Sequence, residues 1–239
     1  MRHLILLLLI ATLAPSLRAE HVIVTGGPAL RKWENLRVPE DQHDRWWANF
    51  VRASTLRMVE IRKAYGANAS IVWMVHRPGY RTRASEDGRP YTNWIADLAR
   101  KRAVTLRWTD SGNDLINAIN SRPRGSIQTF DYFGHSNKHC FMLDYGNDIM
   151  AASTAWLHEH DIGRINRAVF ASNAYCKSWG CHTGESMSKI WKSTSASRSK
   201  VPSAPPTTAS SAKASCPSSR AAGPAETPST TASPFLFSS

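Results

Sequence analysis

Two segments of the sequence contain side chains of the kinds that perform nucleophilic catalysis. His135 lies in the segment 131–140, and Cys176 and Cys181 lie in the segment 168–184. A cysteine attacks as the thiolate, and a neighbouring imidazole both favours the thiolate and later protonates the leaving amine. The pairing of cysteine with histidine therefore predicts hydrolysis of a peptide or related amide through a thioester.

Cys181 is the favoured nucleophile. It follows His135 by 46 residues (181 minus 135), which suits one intervening hairpin, helix and strand and brings both residues to the same edge of a sheet. Gly180 and Gly184 bracket it in a tight turn ahead of a helix predicted from Glu185. A thiolate there faces a helix N-terminus, which favours negative charge by about 0.3 to 1 kcal/mol.

Cys176 is the alternative nucleophile, and the limits of one strand decide between the two thiols. A strand over residues 168–175 ends at Cys176, whereas a strand over residues 174–180 ends at Cys181. Local patterns fix the existence of a strand better than its limits, so both alternatives stay open in the sequence.

The rest of the sequence alternates strand and helix patterns that could position these residues. Short apolar or β-branched runs predict strands at 21–25, 71–75, 104–108 and 127–133. Amphipathic spacing predicts helices at 45–65, 91–102, 112–119 and 185–192, with Ser111 as an N-cap. This alternation predicts an α/β fold with a mostly parallel sheet covered by helices on both faces. Ligands of such sheets gather at the carboxyl ends of strands, which is where the segments with His135 and Cys181 lie.

The segments 133–135 and 179–184 have the sequences Phe-Gly-His and Trp-Gly-Cys-His-Thr-Gly. They give residues 21–192 a resemblance to the caspase-like cysteine peptidases, which include caspases, gingipain-like and clostripain-like enzymes and CHAT domains. The resemblance implies a three-layer α/β sandwich in which Cys181 is the nucleophile and His135 the acid and base. It also implies an oxyanion hole of backbone N–H groups, for which the candidate positions are Gly134, Ser136 and Gly180.

The chain departs from this group at two points. The group commonly has glycine directly after the histidine, whereas this chain has Ser136. Caspase-like domains also continue beyond the nucleophile with further strands, and no strand pattern follows Trp191. We therefore expect a sheet without those C-terminal strands, and a copy of the domain that could be inactive.

Structural roles for the same side chains are the main alternatives. Disulfides could join Cys176 to Cys181, or either of them to Cys140. Histidine and cysteine are also zinc ligands, although their spacing matches no closed structural zinc site. The candidate ligands are His135, His139, Cys140, Cys176, Cys181 and His182. Because of this spacing, we expect no bound metal. The isolated Gly26-Gly27 pair lacks the rest of a phosphate-binding motif, so we expect no other cofactor either.

A basic segment supports a rival function of a different class. Residues 77–83 carry three arginines and overlap a predicted loop over residues 79–90. Such a loop could contact an anionic surface, which would make the chain a non-enzymatic exported binding domain, although most such runs are simply solvated.

The net charge of +12 is spread unevenly along the chain. Arg2 and Arg18 near the N-terminus, together with four basic residues and one acidic residue after position 193, account for five of these charges. The remaining +7 belongs to a middle region with interspersed carboxylates, which argues against a nucleic-acid partner. The oligomeric state is not predicted by these features.

The N-terminal segment 1–19 has the pattern of a secretory signal. Arg2 precedes an apolar run over residues 4–13, which is too short to span a bilayer, and Ala19 is a small residue at the expected cleavage position. We expect export, with cleavage near Ala19 to leave a secreted or periplasmic protein that is not integral to a membrane.

The composition changes abruptly at about residue 193. Thirty-six of the last 47 residues are Ser, Thr, Ala or Pro, which cannot bury enough apolar surface to offset backbone entropy, so we expect disorder over residues 193–239. One hypothesis is a flexible, glycosylated or wall-spanning stalk. We favour the other, a coding frameshift, because the change interrupts the predicted helix 185–192 without a cap.

Overall fold

The computed structural model describes residues 18–146 and 152–196. The strands are β1 (Glu20–Thr25), β2 (Ser70–His76), β3 (Thr105–Thr109), β4 (Ile127–Phe133), β5 (His135–Ser136), β6 (Cys140–Met142), β7 (Trp156–His158) and β8 (Phe170–Ser178). The α-helices are α1 (Arg31–Glu34), α2 (Asn49–Tyr65), α3 (Arg77–Asp87), α4 (Tyr91–Lys101), α5 (Gly112–Asn120) and α6 (Met187–Ala196). Short 3-10 helices lie at Pro39–Asp41, Glu159–Arg164 and Arg167–Val169.

Five of the described strands form one parallel sheet in the order β3-β2-β1-β4-β8. The predicted α/β fold with a mostly parallel sheet is therefore confirmed. A second, antiparallel sheet contains β5, β6 and β7. The order of the large sheet reverses between β1 and β4, and parallel sheets open a crevice at such a reversal, beyond the carboxyl ends of the strands.

Both faces of the large sheet are covered because its central strands are apolar on both sides. In β1, Val22 and Val24 pack into a core completed by α5 and α6, whereas Ile23 between them packs into a core completed by α2, α3 and α4. Side chains alternate along a strand, so a continuous apolar run supplies two cores at once.

The limits of the helices follow local capping signals. Ser111 accepts a hydrogen bond from the N–H of Asp114 at 3.1 Å and caps α5, as predicted. Helix α2 begins at Asn49 rather than at residue 45, and it ends before Gly66, whose φ of 99° favours glycine.

The prediction of a basic loop over residues 79–90 is wrong, because residues 77–87 form α3. Pro78 lies in the first turn, where a missing N–H is harmless, and Gly88 ends the helix with a φ of 61°. Gly79 permits a close approach to β1, since a Cβ added to it would lie 2.9 Å from the Cα of Gly27. Pro78 and Gly79, which in sequence suggest a loop, are thus compatible with a helix packed against the loop that follows β1.

The described residues begin within the predicted signal and end within the predicted tail. Helix α6 begins at Met187, two residues later than predicted, and runs to Ala196, past the predicted boundary at residue 192. Residues 1–17 of the predicted signal and residues 197–239 of the predicted tail lie outside the described residues. Within residues 18–146 and 152–196, no helix combines the length and the apolar character that crossing a membrane requires.

Candidate active site

His135 lies immediately beyond the carboxyl end of β4, at the reversal of strand order. Its Nε2 hydrogen bonds to Oδ2 of Asp44 at 2.5 Å. The ring meets Phe50 edge-on, with centroids 5.0 Å apart, and Tyr145 at 4.5 Å. The side chain keeps 15% of its surface exposed, so the imidazole remains accessible to solvent.

Asp44 belongs to the loop between β1 and α2, and its position is fixed by neighbours on several elements. Its Oδ2 also accepts the N–H of Ala29 at 2.7 Å. Its own N–H donates to Glu34 at 2.9 Å, and its carbonyl accepts from the buried guanidinium of Arg83 at 3.0 Å. A buried carboxylate held in this way is a fixed partner for the imidazole of His135.

Electrostatics keep Asp44 ionised in spite of its burial. Burial alone would raise the pKa of this carboxyl group. The charge and hydrogen bond of His135, the N–H of Ala29 and the charge of Arg83 outweigh burial, and the pKa of Asp44 lies below its ordinary value. Because the ionised carboxylate accepts from Nε2–H, Nδ1 is the nitrogen of His135 available to exchange a proton with another group.

The register of β4 and β8 aligns the Cys181 segment with the His135 segment. Tyr132 pairs with Ser178, an offset of 46 residues (178 minus 132). The alignment continues past the strand end, because the N–H of Trp179 donates to the carbonyl of Tyr132 at 2.9 Å. Cys181 follows His135 by the same 46 residues (181 minus 135), so the two residues lie at equal distances along the chain beyond this last pair.

Gly180 allows these two segments to approach each other beyond the strands. A Cβ added to Gly180 would lie 2.1 Å from Oγ of Ser136 and 3.1 Å from the carbonyl oxygen of Gly134. Ser136 then donates its hydroxyl to the carbonyl of Cys181 at 2.6 Å. The serine that stands where glycine was expected therefore links the segment of the histidine directly to that of the cysteine.

Trp179 anchors the cysteine segment from the other face of the sheet. Its ring stacks on Phe133 with centroids 5.6 Å apart, and its indole N–H donates to Asp131 at 3.2 Å. Asp131 is fully buried and also receives Nε–H of Arg57 at 3.0 Å. The cation of Lys177 covers the ring of Trp179 at 3.4 Å. These contacts fix the main chain two residues before the nucleophile candidate.

The three described cysteines differ in environment. Cys181 is exposed, Cys176 is partly buried within β8, and Cys140 is buried. Burial raises the pKa of Cys176 to about 11 and also raises the pKa of Cys140, so both thiols stay protonated near neutral pH. No disulfide joins any two of these three described cysteines, so the expected alternative of disulfides among them is not realised.

The oxyanion candidates have different hydrogen-bonding states. The N–H of Gly180 donates to the hydroxyl of Ser178 at 3.2 Å and is therefore engaged within its own segment. Gly134 and Ser136 flank His135 at the crevice, and the hydroxyl of Ser136 is engaged with Cys181. Gly180 therefore serves the site by letting its segment lie close to Ser136. The backbone N–H groups of Gly134 and Ser136 remain the candidate donors to an oxyanion.

A turn over residues 181–186 separates the cysteine from α6, so Cys181 lies six residues before the first helical residue rather than at the helix start. His182 has a φ of 58°, in the left-handed region, and its Nδ1 bonds to Glu185 at 2.8 Å. The expected stabilisation of a thiolate by a helix N-terminus therefore loses its geometric basis, and the imidazole of His135 is the remaining candidate activator.

A second histidine–aspartate pair lies at the same edge of the sheet. His76, at the end of β2, contacts Oδ2 of Asp144 through Nε2 at 2.9 Å, and both residues are buried. Thr154 donates its N–H to the other oxygen of Asp144 at 3.1 Å. Burial acts to raise the pKa of Asp144, but the hydrogen bonds and the charge of His76 lower it overall. This pair holds the segment that carries Tyr145 against the crevice.

The expected zinc alternative finds no support in this geometry. Across residues 18–146 and 152–196, no three side chains of His, Cys, Asp or Glu are grouped closely enough to hold a metal ion. Instead, His139 contacts Glu159 at 3.0 Å, and His135 contacts Asp44.

Sequence reasoning identified His135 and Cys181 but missed Asp44 and the pair of His76 with Asp144. Asp44 is 91 residues from His135 in the chain, and local patterns carry no signal for such a contact. The available clue was that Asp44 lies in the loop after the first strand, on the predicted crevice side of the sheet.

Comparison with known proteins adds no relative to this description. No family model, curated protein or solved structure matches the chain.

Proposed function

We propose that the chain is a cysteine-dependent peptidase or amidase in which Cys181 is the nucleophile, His135 the acid and base, and Asp44 the residue that orients His135. The observation that carries the proposal is the contact between the two segments, in which Ser136 donates to the carbonyl of Cys181 directly beside a histidine held by a buried carboxylate. The resemblance of residues 133–135 and 179–184 to caspase-like peptidases supports the same assignment.

The proposed reaction uses one proton acceptor twice. Nδ1 of His135 takes the thiol proton of Cys181, and the thiolate attacks the substrate carbonyl carbon. The oxyanion that forms is stabilised by backbone N–H donors, for which Gly134 and Ser136 are the candidates. The carbon–nitrogen bond then breaks as His135 protonates the leaving amine, which leaves a thioester on Cys181.

Water completes the cycle. It loses a proton to His135 as it attacks the thioester carbonyl, and the carbon–sulfur bond breaks to release a carboxylic acid. The thiolate of Cys181 recovers its proton from His135. Asp44 stays ionised throughout and stabilises the imidazolium that forms in each half of the reaction.

We further propose that this domain acts after export, on a peptide or protein substrate, as the signal pattern over residues 1–19 indicates. The rival proposal, a binding domain with a basic loop, loses support, because residues 77–87 form α3 and two of the three arginines are paired. Arg83 is buried in α3 against Asp87, and Arg77 is paired with Asp110.

Hydrolysis of a peptide library by the purified chain tests the proposal. We expect cleavage that is abolished by Cys181→Ala and by His135→Ala but retained in Cys176→Ala, because the thiol of Cys176 is partly buried and protonated. An acyloxymethylketone probe should form its adduct on Cys181, as read by mass spectrometry. Cleavage or labelling that survives both Cys181→Ala and His135→Ala would refute this assignment.

A further inference from the structure

A hydrogen-bonded bridge outside the crevice connects the two halves of the proposed dyad. Glu159, in the 3-10 helix that follows β7, receives the hydroxyl of Ser186 on Oε2 at 2.6 Å. Its other oxygen, Oε1, contacts Nδ1 of His139 at 3.0 Å. Ser186 ends the turn that begins at Cys181, and His139 lies in the β5–β6 hairpin that begins at His135.

Backbone contacts reinforce the same junction. The N–H of Glu159 donates to the carbonyl of His139 at 2.8 Å, and the N–H of Met187 donates to the carbonyl of Lys138 at 3.0 Å. The side chain of Glu159 is only 11% exposed. The turn 181–186 therefore meets the hairpin at both of its ends, through Ser136 near Cys181 and through Glu159 near Ser186.

We propose that Glu159 is a positioning residue for the nucleophile. It holds the turn 181–186 onto the hairpin of His135, and this inference rests on the proposed function. A carboxylate suits the task because its two oxygens accept from two donors on different elements. The hydrogen bond from Ser186 and the neighbouring His139 also keep the pKa of Glu159 below its ordinary value, so the group is ionised at neutral pH.

The chemistry of the bridge predicts a graded response to substitution. Glu159→Ala removes both links. Glu159→Gln keeps one amide oxygen as acceptor and so preserves one of them. Ser186→Ala removes only the link to the turn. Glu185→Ala is the matched control, because this exposed carboxylate lies in the same turn and pairs with His182.

A double-mutant cycle in the full chain measures the coupling. We expect Glu159→Ala and Ser186→Ala each to lower kcat about tenfold with little change in KM, since small displacements of a reacting group cost rate rather than binding. The double variant should be no slower than Glu159→Ala alone, because Glu159→Ala already breaks the contact that Ser186→Ala removes. Glu159→Gln should be intermediate, and Glu185→Ala should match the wild type. Additive losses in the cycle would overturn the proposal.

Amide hydrogen exchange separates this proposal from the proposed function. Without the bridge, amides 181–187 should exchange about tenfold faster in Glu159→Ala and Ser186→Ala, but not in Glu185→Ala. This measurement does not require an active enzyme. If the chain hydrolyses no substrate, the proposed dyad is refuted, but the exchange rates of amides 181–187 still test the role of Glu159. Unchanged protection of amides 181–187 in Glu159→Ala, with the fold intact, would overturn the positioning role.

Discussion

His135 is oriented through Nε2 by Asp44, and the charge of that partner can be removed without changing its shape. Asp44→Asn removes the negative charge that stabilises the imidazolium of His135, so His135 becomes a weaker acceptor for the thiol proton of Cys181. We expect kcat to fall about 10²- to 10⁴-fold, in the range known for carboxylates that orient a catalytic histidine. Steady-state kinetics with a matched thermal melt measure this. Wild-type kcat in a folded Asp44→Asn variant would contradict the role of Asp44.

Among the elements, the approach of the segment of Cys181 to that of His135 depends on Gly180. A methyl group there would collide with Ser136, so Gly180→Ala should push the segments apart. Overpacking of this kind costs about 1 to 3 kcal/mol, and we expect kcat to fall more than stability does. The double variant Gly180→Ala with Ser136→Gly removes the colliding hydroxymethyl group and should recover part of the lost kcat. No recovery would show that the collision is not the cause.

The elements also show which features local sequence could predict. The four predicted strands and the cap at Ser111 are present because apolar runs and capping side chains act over a few residues. Helix α3 was missed because Pro78 and Gly79 are typical of loops. Here Pro78 lies in the first helical turn, and Gly79 is required by the close approach to Gly27, which is distant in the sequence. The partner of His135 was missed for the same reason, since its position depends on the whole sheet.

At the scale of the whole molecule, buried carboxylates at the crevice make the fold sensitive to acid. The pKa values of Asp44 and Asp144 lie below the ordinary value of 3.8 in the folded chain. A depressed pKa adds stability that is present above the unfolded value and lost as the pH falls through the folded value. The free energy of unfolding should therefore fall steeply below about pH 4.

The variant Asp144→Asn tests this acid sensitivity. It removes the charged partner of the buried His76, so it should be about 1 to 3 kcal/mol less stable than the wild type at pH 7. Its further loss between pH 5 and pH 3 should be smaller, because one titrating group is gone. Urea unfolding across this range gives both quantities, and identical pH profiles for the two proteins would count against the account.

The central claim is that His135 activates Cys181, and the pH dependence of alkylation at each cysteine tests it most directly. Mass spectrometry after timed exposure of the full chain to iodoacetamide gives the rate at each thiol. We predict that Cys181 reacts faster than Cys140 and Cys176 at neutral pH, and that His135→Ala moves its rate midpoint upward, toward the value of about 8.5 for a free thiol. A midpoint at Cys181 that is the same in the wild type and in His135→Ala would contradict the claim.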